Sequence, residues 1–262
     1  MAIVTLTSDW GTDNHYVASV KGALLKQIRD VKIVDVSHEV PCFDIEKGSF
    51  ILRNAYQHFP EGTIHLIGLN TEAGANNPHV LVEHNGHFFI GADNGIFSIL
   101  FDSNPTSVVE IDTYQDSNYF TFPTRDVFVK IAARIAKGER LSDIGHNYKS
   151  LKDTYLFKPV VHDDRIVGRV IFVDKYQNFF VNIDETTFKK ASKGRRFVID
   201  LRLQAINPIE FLNSYGDVSE GEVVALFSST GYLEIAVNKG KASGLLGFKV
   251  NDQITINFTE PD

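Results

Sequence analysis

The chain predicts an α/β amino-terminal domain, a largely parallel sheet with covering helices, followed by an all-β carboxyl-terminal barrel domain. Three observations carry this. In the first half, apolar strand-like runs alternate with stripes of helical spacing, the pattern of a parallel sheet covered by helices. After about Leu156 the helical spacing stops. Beyond it, short apolar runs separated by turn residues continue to the end, as in a small barrel or sandwich. The domains are therefore placed at residues 1–155 and 156–262, with a linker from Leu151 through Pro159 to Asp164.

The first strand is the apolar run 2–6, broken by Thr7-Ser8-Asp9-Trp10-Gly11-Thr12-Asp13-Asn14. A helix follows at once, with Val17, Val20, Leu24 and Ile28 on one stripe and Asp13 or Asn14 available as its cap. Residues 31–36 form a second buried strand. Asp44 starts a helix through Phe50, Ile51 and Asn54, closed by Pro60-Glu61-Gly62, and residues 64–69 form the third strand. Asn85-Gly86, flanked by Val80-Leu81-Val82 and Phe88-Phe89-Ile90, predicts a type I′ hairpin, because both turn positions tolerate positive φ. Phe128, Ile131, Ala132 and Ile135 mark the last helix of this half, ending near Gly138. In the second half, strands are placed at 167–173, 179–183, 196–201, 222–227, 232–237 and 253–258.

Composition excludes several function classes. The 262 residues are 43% apolar and 23% charged, ordinary for a soluble protein and enough for two cores. A net charge of −7 argues against a nucleic-acid surface, and the interrupted basic cluster Lys189, Lys190, Lys193, Arg195 and Arg196 reads as a solvated face. No run reaches membrane-spanning length and none near the start resembles a signal peptide, so the expected location is the cytoplasm with no membrane partner. Cys42 is the only cysteine, which rules out disulfides within the chain; it is assigned to the core as a small hydrophobe. His84, His87 and His146 lack metal-ligand spacing and are assigned solvated or structural positions.

Candidate ligand residues fall in two groups. Asp9 lies at the carboxyl end of the first strand, before a Gly turn and a helix start, where open α/β sheets bind ligands. Asn14 lies beside the same crevice. There is no Gly-rich pyrophosphate cradle, so Asp9 suits a neutral polyol such as the two hydroxyls of a ribose; the alternative is an Asp that only caps or turns. In the second half, Asp174-Lys175-Tyr176-Gln177-Asn178 puts a carboxylate, an aromatic ring and an amide at a strand-to-strand turn. These could hold an ammonium, stack on a flat base and pair with its edge, or form a plain hairpin turn. Ser228-Ser229-Thr230-Gly231-Tyr232 is a turn or a carboxylate-binding loop, and Val237-Asn238-Lys239-Gly240 is a further turn.

Six segments carry a resemblance. They are Ser8-Asp9-Trp10-Gly11-Thr12, Val34-Asp35-Val36-Ser37-His38, Ala92-Asp93-Asn94-Gly95, Thr121-Phe122-Pro123-Thr124-Arg125-Asp126, Asp174-Lys175-Tyr176-Gln177-Asn178 and Gly231-Tyr232-Leu233-Glu234-Ile235-Ala236-Val237-Asn238. In their order and spread the chain resembles the S-adenosylmethionine hydroxide adenosyltransferase family, which also contains the fluorinase and chlorinase enzymes. The resemblance implies a homotrimer with each active site between one subunit's amino-terminal domain and its neighbour's carboxyl-terminal domain. It implies that Asp9 binds the ribose hydroxyls and that Phe43 is an aromatic wall where the halogenases carry tryptophan. It implies that Asp174 binds the methionine ammonium and Ser229 its carboxylate. Tyr176 and Tyr215 would sandwich the adenine, with Asn178 and the backbone from Val237 through Asn238 to Lys239 reading the base edge. No metal or separate cofactor is implied, since S-adenosylmethionine is both substrate and activated leaving group.

The chain departs from that family at the chemistry. Hydroxide-transferring members carry an Asp-Arg-His set. Here the loop reads Leu69-Asn70-Thr71-Glu72-Ala73-Gly74, Asn77 stands where the Arg is expected, and Pro123 replaces the His. Halogenases place a tyrosine where this chain has Asn70 and a serine or glycine where it has Thr124. Thr124 and Asn70 are therefore the candidate catalytic residues, with Thr124 either a catalytic hydroxyl or a helix cap, and with Glu72 or His79 as substitute bases. The favoured activity is hydrolysis of S-adenosylmethionine to adenosine and methionine. The alternatives are halide-dependent adenosyl transfer and a non-catalytic nucleoside or S-adenosylmethionine sensor.

Overall fold

A computed structural model describes residues 1–112, 120–154, 157–201, 205–206 and 211–259. The chain divides into two compact units, Met1–Tyr155 and Leu156–Asp262.

The first unit runs β1 (Ala2–Ser8), α1 (Tyr16–Gln27), β2 (Val31–Ser37), α2 (Ile45–Tyr56), β3 (Ile64–Gly68), β4 (His79–His84), β5 (His87–Ala92), α3 (Ile96–Leu100) and β6 (Ser107–Ile111). A π-helical turn (Thr124–Phe128) then leads into α4 (Val129–Ala136), α5 (Leu141–Ile144) and β7 (Gly145–Asn147). The sheet order is β2-β1-β3-β5-β4-β6-β7. Pairing is parallel from β2 through β5 and antiparallel from β5 through β7, so the sheet is mixed rather than largely parallel. The cause is the tight Asn85-Gly86 turn, with φ of 49° and 76°: a two-residue connection can only reverse the strand.

Strand alternation sends side chains into two cores. Ile64 and Leu66 of β3 join Val20 and Leu24 of α1 and Phe128 and Ile131 on one face. Ile67 and Leu69 join Leu52 and Tyr56 of α2 and Phe97 of α3 on the other. Asp44 caps α2, its carboxylate accepting the Lys47 N–H at 2.9 Å. Helix α1 is entered differently from the expectation. Its cap position is His15, while the Asn14 side chain reaches past it to accept the Tyr16 N–H at 2.9 Å and to donate to the Trp10 carbonyl.

The second unit runs β8 (Val160–Val161), β9 (Arg165–Val173), β10 (Phe179–Asp184), α6 (Glu185–Ser192), β11 (Arg196–Asp200), β12 (Ala205–Ile206), a 3-10 turn (Tyr215–Asp217), β13 (Val223–Phe227), β14 (Tyr232–Val237), α7 (Ala242–Leu246) and β15 (Gln253–Thr259). The order is β12-β11-β15-β9-β10-β14-β13, with β8 beside β9, and every pairing is antiparallel. The sheet curls but is not a closed barrel: among the described residues β12 and β13 remain its edges. Register shifts on both sides of β10 provide the bend.

Helices α6 and α7 correct the expectation that helical structure ends with the first half. Helix α6 buries little beyond Phe188 and Ala191, too few apolar positions for a periodic stripe. Its start was marked, since Asp184 accepts the Thr187 N–H at 2.8 Å. Lys189 and Lys190 of the basic cluster lie on this helix, and Lys189 pairs with Glu185 at 2.6 Å. Cys42 is exposed, not buried, because it sits in the turn before α2.

His84 and His87 are buried, hence structural rather than solvated. His87 belongs to a hydrogen-bonded row: Thr5 Oγ1 lies 2.7 Å from His65 Nδ1, and His65 Nε2 lies 3.2 Å from His87 Nδ1. Burial, with the neighbouring His87, holds His65 down to about 3. The unfolded chain takes up that proton near pH 6.5 while the folded one does not, so stability is whole above 6.5 and is lost as pH falls towards 3. Urea unfolding at a series of pH values should show this acid-side loss, and His65→Phe should reduce it, the half-buried His79 and the buried His84 and His87 keeping the remainder.

Candidate active site

The carboxyl ends of β2, β1, β3 and β5 lie side by side, with the chain passing from β1 to β2 on one side and then from β2 to β3 on the other side of β1. That is the switch point at which open sheets hold ligands. Asp9 follows β1 directly. Its Oδ2 accepts the Phe43 N–H at 2.9 Å, which fixes Phe43 at a φ of 64° with its ring 71% exposed. Asp9 Oδ1 has no hydrogen-bond partner among the described residues. One oxygen of the carboxylate is thus structural and the other free for a ligand.

The Asp9 loop is braced from below. Buried Ser8 Oγ and His38 Nδ1 are 2.6 Å apart, and the Gly11 N–H donates to the His38 carbonyl at 2.8 Å. On the far side of the ring, His38 Nε2 lies 3.1 Å from Asp35 Oδ1, and Asp35 pairs with Lys21 at 2.6 Å. The Trp10 ring stacks on His38 and covers Gly68 so closely that a Cβ there would lie 2.3 Å from it. Phe122 meets Trp10 and Tyr16 edge-on, tying this loop to the segment that carries Thr124.

Thr124 opens the π-helical turn, and its carbonyl accepts the Val129 N–H five residues on. Such wide turns recur at functional sites. The cap reading of Thr124 does not hold. Pro123 occupies the cap position, and the Thr124 hydroxyl is fully buried without a partner among the described residues. A cap hydroxyl would be bonded.

The loop after β3 is held by Asn94, whose amide donates to the carbonyls of Leu69 at 2.9 Å and Asn70 at 3.1 Å. Asn70 is exposed, at a φ of 45°. Asn77 is engaged structurally, accepting from Lys152 Nζ at 3.0 Å. Buried Asp93 accepts the Lys152 N–H on both oxygens; burial raises its pKa, and the Tyr148 hydroxyl beside it is pushed up to about 12. Of the two substitute bases, Glu72 is exposed and His79 half-buried. His79 Nε2 lies 2.9 Å from the Thr71 carbonyl, which can only accept, so Nε2 carries the proton and Nδ1 is the basic nitrogen. Its ring packs on Phe128, and burial lowers its pKa.

The second unit holds a cavity of about 700 Å³, lined by Asp174, Tyr176, Asn178, Tyr215, Val237 and Asn238 among others. The Asp174 carboxyl accepts the Asn178 N–H at 2.8 Å and further N–H groups of its own turn. Tyr176 is 77% exposed and Tyr215 44%, and both line the cavity. Asn178 is buried, its amide donating to Glu234 Oε1 at 2.9 Å, and the Tyr215 hydroxyl donates to the same oxygen at 2.8 Å. Asn238 is committed to the frame, its amide donating to the Val218 carbonyl at 2.8 Å. Ser229 is exposed in the turn before β14 and does not line this cavity. Glu234, Asp93 and the Asp35–His38–Ser8 row were not singled out as site residues by the sequence reasoning. They lie inside the motifs, but nothing in spacing marks a buried acid as the partner of a distant amide. Among the described residues no cluster of His, Cys, Asp and Glu could hold a metal ion, and no helix is long and apolar enough to cross a membrane.

Residues 4–145 match the SAM hydroxide adenosyltransferase N-terminal domain and residues 168–255 the C-terminal domain. The chain belongs to the SAM hydroxide adenosyltransferase family. It is 30% identical to an (R)-S-adenosyl-L-methionine hydrolase of Methanocaldococcus jannaschii, over 98% of this chain and 96% of the relative. A fluorinase of Nocardia brasiliensis is 24% identical over 90% of each chain. Among solved structures, an uncharacterized conserved protein from Thermotoga maritima matches with a TM-score of 0.87 and 30% identity, covering 97% of this chain and 99% of that one.

The free Thr124 hydroxyl makes one expectation specific. Thr124→Val keeps the shape and removes a buried polar group that has no partner among the described residues, so unfolding free energy should equal the parent's or rise. A cap would instead lose about 1 kcal/mol. Chemical denaturation distinguishes the two.

Proposed function

We propose that this protein binds S-adenosylmethionine and promotes attack of water on the ribose C5′, giving adenosine and methionine. The observation that carries this reading is the cavity of the second unit, where Asp174, two tyrosine rings and the Asn178 amide combine an ammonium partner, stacking faces and a base-edge reader. Asp9, with one carboxylate oxygen free, supplies the ribose partner, beside the exposed Phe43 ring. Asn14 lies next to it, its side chain engaged at the start of α1. In this reading Ser229 holds the methionine carboxylate, and a homotrimer brings Asp9 of one subunit and Asn178 of its neighbour to one ligand.

The chemistry asks little of the leaving group. Water adds its oxygen to C5′, the C5′–S electron pair returns to sulfur, methionine departs as a neutral thioether, and the attacking water loses one proton. The protein's part is to align the water and strip its other contacts, and alignment alone is worth roughly 7–11 kcal/mol. Thr124 is the group we assign to hold the nucleophile, since its hydroxyl is buried and has no partner among the described residues, with the exposed Asn70 as the second candidate. His79, neutral at pH 7 with Nδ1 free, is the better candidate than Glu72 to take the proton, because its ring is fixed and half-buried. No metal or cofactor is needed for this reaction.

The same Thr124 hydroxyl favours a second reading, adenosyl transfer to a halide, which needs no base. Incubation with S-adenosylmethionine, with and without chloride, followed by chromatography, separates the outcomes: adenosine for hydrolysis, a 5′-halogenated nucleoside for transfer, unchanged ligand for a sensor. Asp9→Ala should weaken adenosine binding by about 1.5–3 kcal/mol by calorimetry; unchanged affinity removes Asp9 from the ribose. Co-expressed Asp9→Ala and Asn178→Ala chains should recover part of the activity that each lacks alone, since mixed trimers contain intact shared sites. Sites built within one subunit would recover none.

A further inference from the structure

Glu234 sits on β14, between β10 and the edge strand β13, where Leu233, Ile235 and Val237 point into the hydrophobic core and Glu234 turns to the other face. It is 2% exposed and has no salt-bridge partner among the described residues. A buried carboxylate without a cation is costly and persists only where donors satisfy it. Its donors are the Asn178 amide at 2.9 Å, the Tyr215 hydroxyl at 2.8 Å and the Ser228 hydroxyl. Burial and the nearby Asp174 push its pKa up, while the donors oppose that rise.

Two of its three partners line the cavity, and Glu234 itself does not. The Asn178 and Tyr215 bonds both end on Oε1, which accepts whether or not the other oxygen carries a proton. An asparagine has one donor end and one acceptor end, and an acceptor below it obliges the amide to turn its nitrogen inward. The Asn178 carbonyl oxygen, Oδ1, has no partner among the described residues. We infer that Glu234 is a specificity-determining positioning residue: by taking the Asn178 N–H and the Tyr215 O–H it leaves the Asn178 carbonyl oxygen for the base, so that the site selects a 6-amino purine over a 6-oxo purine. The inference rests on the nucleoside reading of the cavity and names the feature of the base that is read.

The physical basis is asymmetric. A 6-amino group donates to the free Oδ1. A 6-oxo group brings a second acceptor against it and leaves both unpaired, a penalty larger than that of a missing partner. A purine with hydrogen at position 6 loses the bond without the repulsion.

Calorimetry of the full-length protein with adenosine, purine riboside and inosine tests this without any substitution. Affinity should fall in that order, with adenosine roughly ten- to a hundredfold tighter than inosine. Inosine equal to or tighter than purine riboside overturns the inference. If none of the three binds, the nucleoside reading falls and takes the inference with it; if all bind alike, only the inference falls. Two variants then address Glu234 itself. Glu234→Leu removes the acceptor, frees the amide to turn and should reduce the adenosine-to-inosine ratio at least fivefold, mainly through weaker adenosine binding. Glu234→Gln retains an acceptor oxygen and should keep the ratio within about threefold of the parent. A Glu234→Leu protein that melts like the parent yet keeps the full ratio overturns the assignment, as does a Glu234→Gln protein that loses as much as Glu234→Leu.

Discussion

The contact between Ser8 and His38 joins the ends of two parallel strands, and the first unit's candidate site is built on it. Both side chains are buried, 2.6 Å apart, so neither polar group has water as an alternative partner. Losing one would strand the other at a cost of about 1–3 kcal/mol. With the Gly11 N–H bonded to the His38 carbonyl and the Trp10 ring stacked on the imidazole, the loop after β1 has little freedom. Asp9 is the next residue, and its position follows from this bracing. The bond from the Phe43 N–H to Asp9 extends the same rigidity to the turn after β2 and holds Phe43 in a left-handed conformation that it would not adopt unaided.

The second unit solves a comparable problem with one acid. Asp174 organises its own turn by accepting backbone N–H groups, so the short loop between β9 and β10 keeps a fixed shape. Glu234 beneath it orients the two side chains that face the cavity. Rigid first-line groups held by buried partners are what recognition of a neutral flat base requires, since each misplaced donor or acceptor weakens a contact that is modest even at its best.

The Asp-Arg-His set that the resemblance leads one to expect has no counterpart in Asn70, Asn77 and Pro123, and the Asn77 side chain accepts from Lys152. What remains is a buried threonine hydroxyl at a π-helical turn, without a partner among the described residues, and a histidine whose tautomer is set by a backbone carbonyl. Displacement at a sulfonium carbon tolerates such a loss better than most reactions, because the leaving group needs no proton.

The sequence by itself determined the elements and their punctuation. Asp44 as a helix cap, Asn85-Gly86 as a reversing turn and the strands carrying Val181, Ile235 and Ile256 follow from local rules: capping oxygens, residues that accept positive φ, and side chains alternating across a pleat. The candidate ligand residues Asp9, Asp174, Tyr176 and Asn178 also lay in legible motifs. Only the tertiary structure decided how these groups are partnered. Helix α6 has too few apolar residues for a periodic signal, and Cys42 is exposed because of where its turn lies. Beyond the β4–β5 hairpin that its turn dictates, the antiparallel pairing of β6 on β4 is set by the fold. Above all, Glu234 meets Asn178 and Tyr215 across three separate segments, and the Thr124 hydroxyl has no partner among the described residues. Local sequence specifies what a residue can donate or accept; whether a partner stands 2.9 Å away depends on strand register and burial, which the whole fold sets at once.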